Sequence, residues 1–258
     1  MRIRSLLVLL VSVAFAGCAV VKPVNLPVAA KQPPNIKPKK PVQVALVLGS
    51  GGVRGVAEAG VIKVLAAGGV PIDAIIGTSA GSIVGALYAS DPDPARLSKL
   101  MLGSDRSQVV RFNIFDVDEG LVSGYTLQRY LIKNMPSGIY FKDLKIPFGV
   151  MTTNFVTGDA HFINSGVIPP AVNASAAIPG VFRVVHLYGM NFVDGGISAS
   201  LGTKQARKFY KPKLLIAVSI HNDLEPNIPS SMSLFIKNFT CISFSMITKY
   251  SNNSFSRS

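Results

Sequence analysis

Short apolar runs alternate with amphipathic segments along most of this chain. Residues 42–48 (Val-Gln-Val-Ala-Leu-Val-Leu) are rich in β-branched residues, which is typical of a buried strand. Residues 56–67 have helical spacing and end at a Gly-Gly pair. Val61, Val64 and Leu65 are predicted to share the face of that helix that packs on the core.

The same two patterns recur further along. Predicted strands cover residues 73–76, 147–153, 159–163, 191–193 and 213–220, and predicted helices cover residues 82–89, 96–112, 125–134 and 168–176. Strands that alternate with helices usually form a parallel sheet with helices on both faces. The predicted fold class is therefore α/β, a three-layer α/β/α sandwich around a mostly parallel sheet.

The N-terminus has the layout of an export signal. Two arginines precede an apolar stretch at residues 5–16, which is too short to span a membrane comfortably. Two small residues then precede Cys18, as in a bacterial lipoprotein signal. We expect cleavage before Cys18 and lipidation of that cysteine; the alternative is an ordinary secretory signal. Because Ala19 follows, and not an aspartate, the resemblance implies an exported lipoprotein of the outer membrane, facing the periplasm.

A proline-rich and basic segment follows the signal. Residues 21–41 contain six prolines, five lysines and no acid, and proline favours extended backbone. We interpret this segment as a tether whose lysines suit anionic lipid head groups, with a solvated spacer as the alternative. The expected organisation is a signal peptide at 1–17, a tether at 18–41, a globular domain at 42–222 and an atypical tail at 223–258.

Composition and charge narrow the classes of partner. The 258 residues are 48% hydrophobic and carry a net charge of +13, yet all 13 acids lie at or beyond Glu58. Without tryptophan, zinc-finger spacing or basic runs interleaved with aromatics, the sequence argues against nucleic acid and favours an anionic membrane surface. If Cys18 is lipidated, Cys241 has no partner for a disulfide and is expected to be a small buried hydrophobe.

The strongest chemical signal is the pentapeptide at 77–81 (Gly-Thr-Ser-Ala-Gly), which fits the pattern G-x-S-x-G. A predicted strand precedes it and a predicted helix follows. A tight turn between them would expose Ser79, and Gly77 and Gly81 would let the chain close around it. Ser79 is therefore a candidate nucleophile near a helix N-terminus, which favours negative charge; the alternative is a serine that only caps the helix.

A glycine-rich loop at residues 49–55 follows the first strand. A dinucleotide fingerprint needs glycine where Arg54 stands, and a phosphate loop needs Gly-Lys followed by Ser or Thr, so neither pattern fits. Consecutive backbone N–H groups of Gly51, Gly52 and Val53 suit an oxyanion hole instead.

A serine nucleophile needs a base, and two arrangements are open. Asp194 follows a short apolar strand and precedes Gly195 and Gly196, so its carboxylate could be presented at a strand end. A turn aspartate before two glycines has the same sequence. Alternatively, His221 could complete a Ser–Asp–His order, although it lies just after a predicted strand in no recognisable motif.

Together these segments resemble the patatin-like phospholipase family. The loop that ends in Arg54 and Gly55 resembles the family's G-G-x-R/K-G segment, and the pentapeptide around Ser79 resembles its nucleophile turn. The Asp-Gly-Gly at 194–196 resembles its D-G-G motif, and residues 174–185 resemble its A-S-x-A-x-P-x-x-F segment. The similarity covers residues 42–220.

The resemblance implies a hydrolase of lipid acyl esters, of the phospholipase A or lysophospholipase type, whose substrate is membrane phospholipid or lysophospholipid. Ser79 would attack the ester carbonyl and Asp194 would be its base, without a histidine. Residues 51–53 would hold the oxyanion, and Arg54 would shape the loop or meet lipid phosphate. No metal or cofactor is implied.

The end of the sequence departs from the family. From Pro226 onward there is no acid, and nine of 33 residues are serine. The family commonly continues with further strands and helices, so the tail is interpreted as a truncated or frame-shifted end. Two rivals to the phospholipase hypothesis follow: a Ser–His–Asp esterase using His221, and a catalytically silent lipid-anchored surface protein or truncated remnant.

Overall fold

The computed structural model describes residues 23–102, 117–118, 121–122, 124–220 and 245–246. The predicted signal peptide, Cys18, Cys241 and nearly all of the predicted tail lie outside the described residues. The strands are β1 Val44–Leu48, β2 Ala74–Thr78, β3 Val117–Asp118, β4 Leu121–Val122, β5 Phe148–Asn154, β6 Ala160–Ile163, β7 Val185–Leu187, β8 Met190–Asp194, β9 Leu214–Ser219 and β10 Ser245–Met246.

The helices connect these strands. They are α1 Val56–Ala67, α2 Ala80–Ser90, α3 Pro94–Leu102, α4 Tyr125–Asn134, α5 Ile168–Ser175, α6 Gly196–Ala199 and α7 Thr203–Gln205. Short 3-10 helices span Gly52–Gly55 and Phe141–Asp143, and a π-helical turn spans Ala206–Tyr210. Among the described helices, none is both long enough and apolar enough to cross a membrane.

Eight strands form one mixed sheet in the order β10-β9-β1-β2-β5-β8-β7, with β6 also paired to β5. The four central strands, β9, β1, β2 and β5, are parallel, and the outer pairings are antiparallel. β3 and β4 form a separate pair. The parallel centre matches the strand-helix alternation of the sequence, because parallel neighbours need a crossover connection.

Successive residues of β1 show that both faces of the sheet are covered. Val44, Leu46 and Leu48 belong to a large apolar core that also includes residues of helices α1 to α5. Ala45 and Val47 belong to a second core formed with the π-helical turn. Because side chains alternate between the two faces of a strand, helical segments pack on both sides. The predicted three-layer α/β/α sandwich is confirmed.

Most predicted elements are present with shifted ends. The predicted core face of the first helix is confirmed at Val61 and Leu65, which pack against the core, and is wrong at Val64. In α1, Ala59 and Ile62 are buried, whereas Val64 is 72% exposed. Glu58 is buried on the same face as Ile62, so the apolar pattern alone misplaced the face by part of a turn. The helix predicted at 96–112 is described only as far as Leu102.

The second half of the predicted tether contacts the domain. We call residues 30–41 the strap. The strap backbone at Ile36 accepts a hydrogen bond from Asn164 Nδ2 at 2.9 Å and donates one to Asn164 Oδ1 at 3.2 Å. Gln32 bonds the carbonyl oxygen of Phe162 at 3.3 Å, and Ser165 Oγ donates to the carbonyl of Pro33 at 2.7 Å. This part of the segment is therefore docked along β6 and the residues after it.

Candidate active site

Strand pairing brings the ends of β2 and β8 together. Thr78 of β2 pairs with Met151, and Asp194 of β8 pairs with the next residue, Thr152. Because β6 occupies the other edge of β5, β2 and β8 share one edge. β2 is parallel to β5 and β8 is antiparallel, so their carboxyl ends meet. This topology places Ser79, which follows β2, beside Asp194.

Ser79 occupies a strained turn. Its backbone has φ of 53° and ψ of −119°, a combination that non-glycine residues rarely adopt and that costs about 1–3 kcal/mol. A Cβ on Gly77 would lie 2.4 Å from the carbonyl oxygen of Gly81, and one on Gly81 would lie 2.6 Å from Leu48. Only glycine fits at these two positions, so the pentapeptide can hold Ser79 in this conformation.

The side chains of Ser79 and Asp194 are joined by a short hydrogen bond. Ser79 Oγ donates to Asp194 Oδ2 at 2.6 Å, and Asp194 Oδ1 accepts from the Gly196 N–H at 2.7 Å. Both side chains are buried, each residue being 5% exposed. The carboxylate therefore faces the hydroxyl with one oxygen while the other is held by the D-G-G backbone.

Burial raises the pKa of Asp194 from 3.8 to about 6. Desolvation penalises the charged carboxylate, and the hydrogen bonds from Ser79 and Gly196 oppose this effect only in part. A carboxylate with a pKa near 6 is ionised at neutral pH and is a better proton acceptor than an ordinary aspartate. The pair can therefore transfer a proton from the serine hydroxyl.

Ser175 supports this arrangement, and no role was predicted for it. Its Oγ accepts a hydrogen bond from the Ser79 N–H at 2.9 Å and donates to the carbonyl oxygen of Met151 at 2.6 Å. Its own carbonyl accepts from the Gly195 N–H at 3.0 Å. Ser175 thus links the serine turn, β5 and the D-G-G turn. The sequence signal was present, because Ser175 lies in the A-S-x-A-x-P-x-x-F segment.

The glycine loop lies against the serine turn. Gly52 has a φ of +56°, and a Cβ on Gly55 would come within 2.7 Å of Ala80 Cβ. Arg54 folds back on the loop, donating from its backbone N–H and from Nε to the carbonyl oxygen of Gly51 at 3.1 and 3.3 Å. Of the two roles considered for Arg54, these contacts favour shaping the loop. Glycine at 55 permits this close approach, and glycine at 52 permits the positive φ.

The two described histidines are engaged elsewhere. His161 Nε2 is hydrogen-bonded to Gln32 Oε1 at 2.7 Å, and its ring packs on Phe192. His186 Nδ1 is hydrogen-bonded to Asn191 Oδ1 at 3.0 Å. His221 lies outside the described residues. Across the described ranges, no group of three or more His, Cys, Asp or Glu side chains is arranged to hold a metal ion.

Comparisons with known proteins identify a family and several relatives. The sequence profile of a family described as "Patatin-like phospholipase" matches residues 46–207. Lysophospholipase nte1 of Aspergillus niger is 34% identical over 192 residues, and lysophospholipase NTE1 of Coccidioides immitis is 33% identical over 190 residues. Each match covers 72% of this chain but 12% of the relative.

VipD from Legionella pneumophila superposes with a TM-score of 0.41 at 14% identity, covering 69% of this chain and 51% of that one.

Proposed function

Because the chain belongs to the patatin-like phospholipase family, we propose that it hydrolyses acyl esters of lipids, as a phospholipase A or lysophospholipase. The observation that carries this proposal is the hydrogen bond of 2.6 Å from Ser79 Oγ to Asp194 Oδ2, formed at a strained strand-to-helix turn. The lysophospholipase names of the relatives support a lipid substrate. Phospholipid or lysophospholipid is therefore the proposed substrate class.

The proposed reaction uses Ser79 as the nucleophile and Asp194 as the general base. Ser79 Oγ attacks the ester carbonyl carbon while its proton passes to Asp194 Oδ2. The tetrahedral intermediate collapses, and Asp194 returns the proton to the oxygen of the leaving alcohol. Water then attacks the acyl-serine ester, again giving a proton to Asp194, and that proton returns to Ser79 Oγ as the fatty acid leaves.

The glycine loop is the proposed oxyanion hole. The N–H groups of Gly51, Gly52 and Val53 make no hydrogen bond within the described part of the chain, so they remain available to a substrate oxygen. Removing one donor from such a hole typically costs about 2.7–4 kcal/mol of transition-state stabilisation. The loop is fixed by the Arg54 contacts to Gly51, which pre-organise these donors.

We also propose that the protein is attached to a membrane through lipidated Cys18, at the outer membrane facing the periplasm. The support is the sequence layout alone: an apolar stretch at 5–16 and two small residues before the cysteine. Attachment would raise the concentration of the enzyme at its insoluble substrate. Globomycin, which blocks lipoprotein signal processing, should leave a slower-migrating precursor; an unchanged band would refute lipidation.

The activity is tested by fatty acid release from lysophosphatidylcholine and phosphatidylcholine by the full chain. We expect release by the wild type and a loss of at least about a hundredfold in Ser79→Ala and Asp194→Asn. Matched controls are Ser200→Ala and Asp159→Asn, which change exposed residues of the same types. No release by wild-type protein that is folded by circular dichroism would contradict the proposal, and so would equal losses in the control variants.

A further inference from the structure

Large apolar side chains that stay exposed are concentrated at one end of the molecule. The described residues include eleven of them, and six lie on loops and short helices at the carboxyl edge of the parallel strands. These six are Val53, Phe155, Val156, Ile178, Val184 and Ile197, which we call the apolar rim. Exposed apolar side chains are normal singly, but a group around one site indicates a contact surface.

The apolar rim lies on the same side of the molecule as the Ser79–Asp194 pair. Val53 lies in the glycine loop after β1, and Phe155 and Val156 form the turn after β5. Ile178 follows Ala177, whose carbonyl oxygen accepts the hydrogen bond from the Asp194 N–H at 2.8 Å. The rim therefore comes from four separate segments. Three of them lie near the point where β2 and β8 end, and the turn after β5 lies farther out, beside the start of β8.

The strap runs between the two edges of the sheet, from the carboxyl edge near its N-terminal end to the amino edge at its C-terminal end. Its C-terminal end lies just before β1. There the N–H of Gln43 donates to the carboxylate of Asp73, the residue before β2, so this end of the strap lies at the amino edge of the parallel strands. Further back, Ile36 is bonded to Asn164 beyond the end of β6. Gln32 reaches His161, near the residue of β6 that pairs with the carboxyl end of β5. From Gln43 back to Gln32, the chain therefore approaches the carboxyl edge, where the active site lies.

At residue 30 the strap lies against the turn between β7 and β8. A Cβ on Gly189, in the turn between β7 and β8, would lie 3.5 Å from the carbonyl oxygen of Ala30. That turn lies beyond Phe155, whose N–H donates to the carbonyl of Asn191 at 2.8 Å. Val28, which precedes the strap, is another exposed apolar residue. The N-terminal residues therefore leave the domain on the side of the active site.

We propose that the carboxyl edge, with its apolar rim, is a docking surface for a lipid bilayer, and that the strap orients it. From Cys18 to Ala30 the chain can extend over ~40 Å at most, so an attachment at Cys18 keeps this edge close to the membrane. Without the strap, a free tether beginning at β1 would reach about twice as far and would impose no orientation.

Charge favours a bilayer over a protein as the occupant of this surface. After cleavage before Cys18, the segment that leaves at this edge, residues 18–31, carries Lys22 and Lys31 and no acid, so it suits anionic head groups. Arg54 and Arg183 lie on the rim segments and are half-buried. Apolar side chains flanked by cations match the acyl and head-group layers of a membrane surface.

The absence of tryptophan from the sequence allows a direct test. Val156→Trp and Val64→Trp each introduce a single fluorescent reporter at similarly exposed sites, 78% and 72%, on the rim and on α1 respectively. Both are made in full chain carrying Ser79→Ala, so that docking is measured independently of hydrolysis. Each protein is reconstituted with vesicles of phosphatidylethanolamine and phosphatidylglycerol, and quenching by brominated lipid and by aqueous iodide is compared.

We expect the Val156→Trp reporter to shift to shorter wavelength and to be quenched several-fold more by brominated lipid than the Val64→Trp reporter. The Val64→Trp reporter should remain accessible to iodide. Phe155→Trp supplies a second reporter on the same turn if Val156→Trp does not fold. Equal quenching at both sites would overturn the proposal. A blue shift that appears without vesicles and grows with protein concentration would also overturn it, in favour of a second copy of the chain.

Discussion

The raised pKa of Asp194 predicts a pH dependence that an ordinary aspartate would not give. Its carboxylate must be ionised to accept the Ser79 proton, and burial raises its pKa from 3.8 to about 6. Lowering the pH from neutrality should therefore titrate the base before exposed carboxylates are protonated. We predict that the rate of acylation follows a single ionisation with a midpoint near pH 6.

The size of the effect follows from that pKa. With a pKa of about 6, the ionised fraction of Asp194 is about 0.9 at pH 7 and about 0.1 at pH 5. kcat/KM should therefore fall roughly tenfold between these two pH values and tenfold more for each further unit.

Protonation of Asp194 does not itself unfold the protein. A carboxyl whose pKa is raised in the folded state stabilises that state below its unfolded pKa, and the contribution is lost as the pH rises through 6.

The assay is hydrolysis of a soluble p-nitrophenyl ester, since kcat/KM reports the ionisation of the free enzyme. Circular dichroism at each pH separates loss of activity from loss of fold. His161→Gln is the control, because burial lowers the pKa of this histidine from its usual value of 6.5, so its titration could be mistaken for that of Asp194. A midpoint near pH 4 would refute the raised pKa of Asp194. A midpoint near pH 6 that disappears in His161→Gln would refute its assignment to the carboxylate.

Three further substitutions test the surroundings of the site. Ser175→Ala should cost about 1–3 kcal/mol in urea denaturation and slow fluorophosphonate labelling, because the Ser79 N–H loses its partner; unchanged labelling would deny the supporting role. Glu58→Met should raise the free energy of unfolding by about 1–3 kcal/mol at pH 8, since burial raises the pKa of this carboxyl and its oxygens have no partner of normal geometry among the described residues. The gain should shrink toward pH 4, where the wild-type carboxyl is protonated in both states; a gain independent of pH would contradict this. Asn164→Ala should remove two hydrogen bonds to Ile36, cost about 1–3 kcal/mol and speed tryptic cleavage in the strap; an unchanged cleavage rate would show that the strap is held by other contacts.

The serine turn was predictable because its chemistry is local. Glycine at 77 and 81 is required by close backbone approach, and a strand and a helix flank the turn in the sequence itself. The strand-helix alternation also predicted the layered fold, which is confirmed. The 2.6 Å contact between Ser79 and Asp194 was an expectation only of the family resemblance, because it depends on β2 and β8 sharing one edge of β5.

Features that depend on distant partners could not be predicted in this way. The strap was interpreted as a tether because proline and lysine indicate solvated chain, yet Ile36 is held by Asn164, 128 residues away. β7 is three residues long and is stabilised by pairing with β8, so its own sequence carries little strand signal. Val64 was misplaced because Glu58, a charged residue, is part of the buried face of α1. Tertiary packing overrides local pattern in each case.

The central claim is that Ser79 is a nucleophile activated by Asp194, and covalent trapping tests it most directly. The full chain is treated with a fluorophosphonate, and the adduct is mapped by peptide mass spectrometry beside Ser79→Ala and Asp194→Asn. The account predicts one phosphonylated peptide containing Ser79, absent in the first variant and formed far more slowly in the second. A folded protein that remains unmodified would contradict the account, as would an adduct on another residue or equally fast labelling of Asp194→Asn.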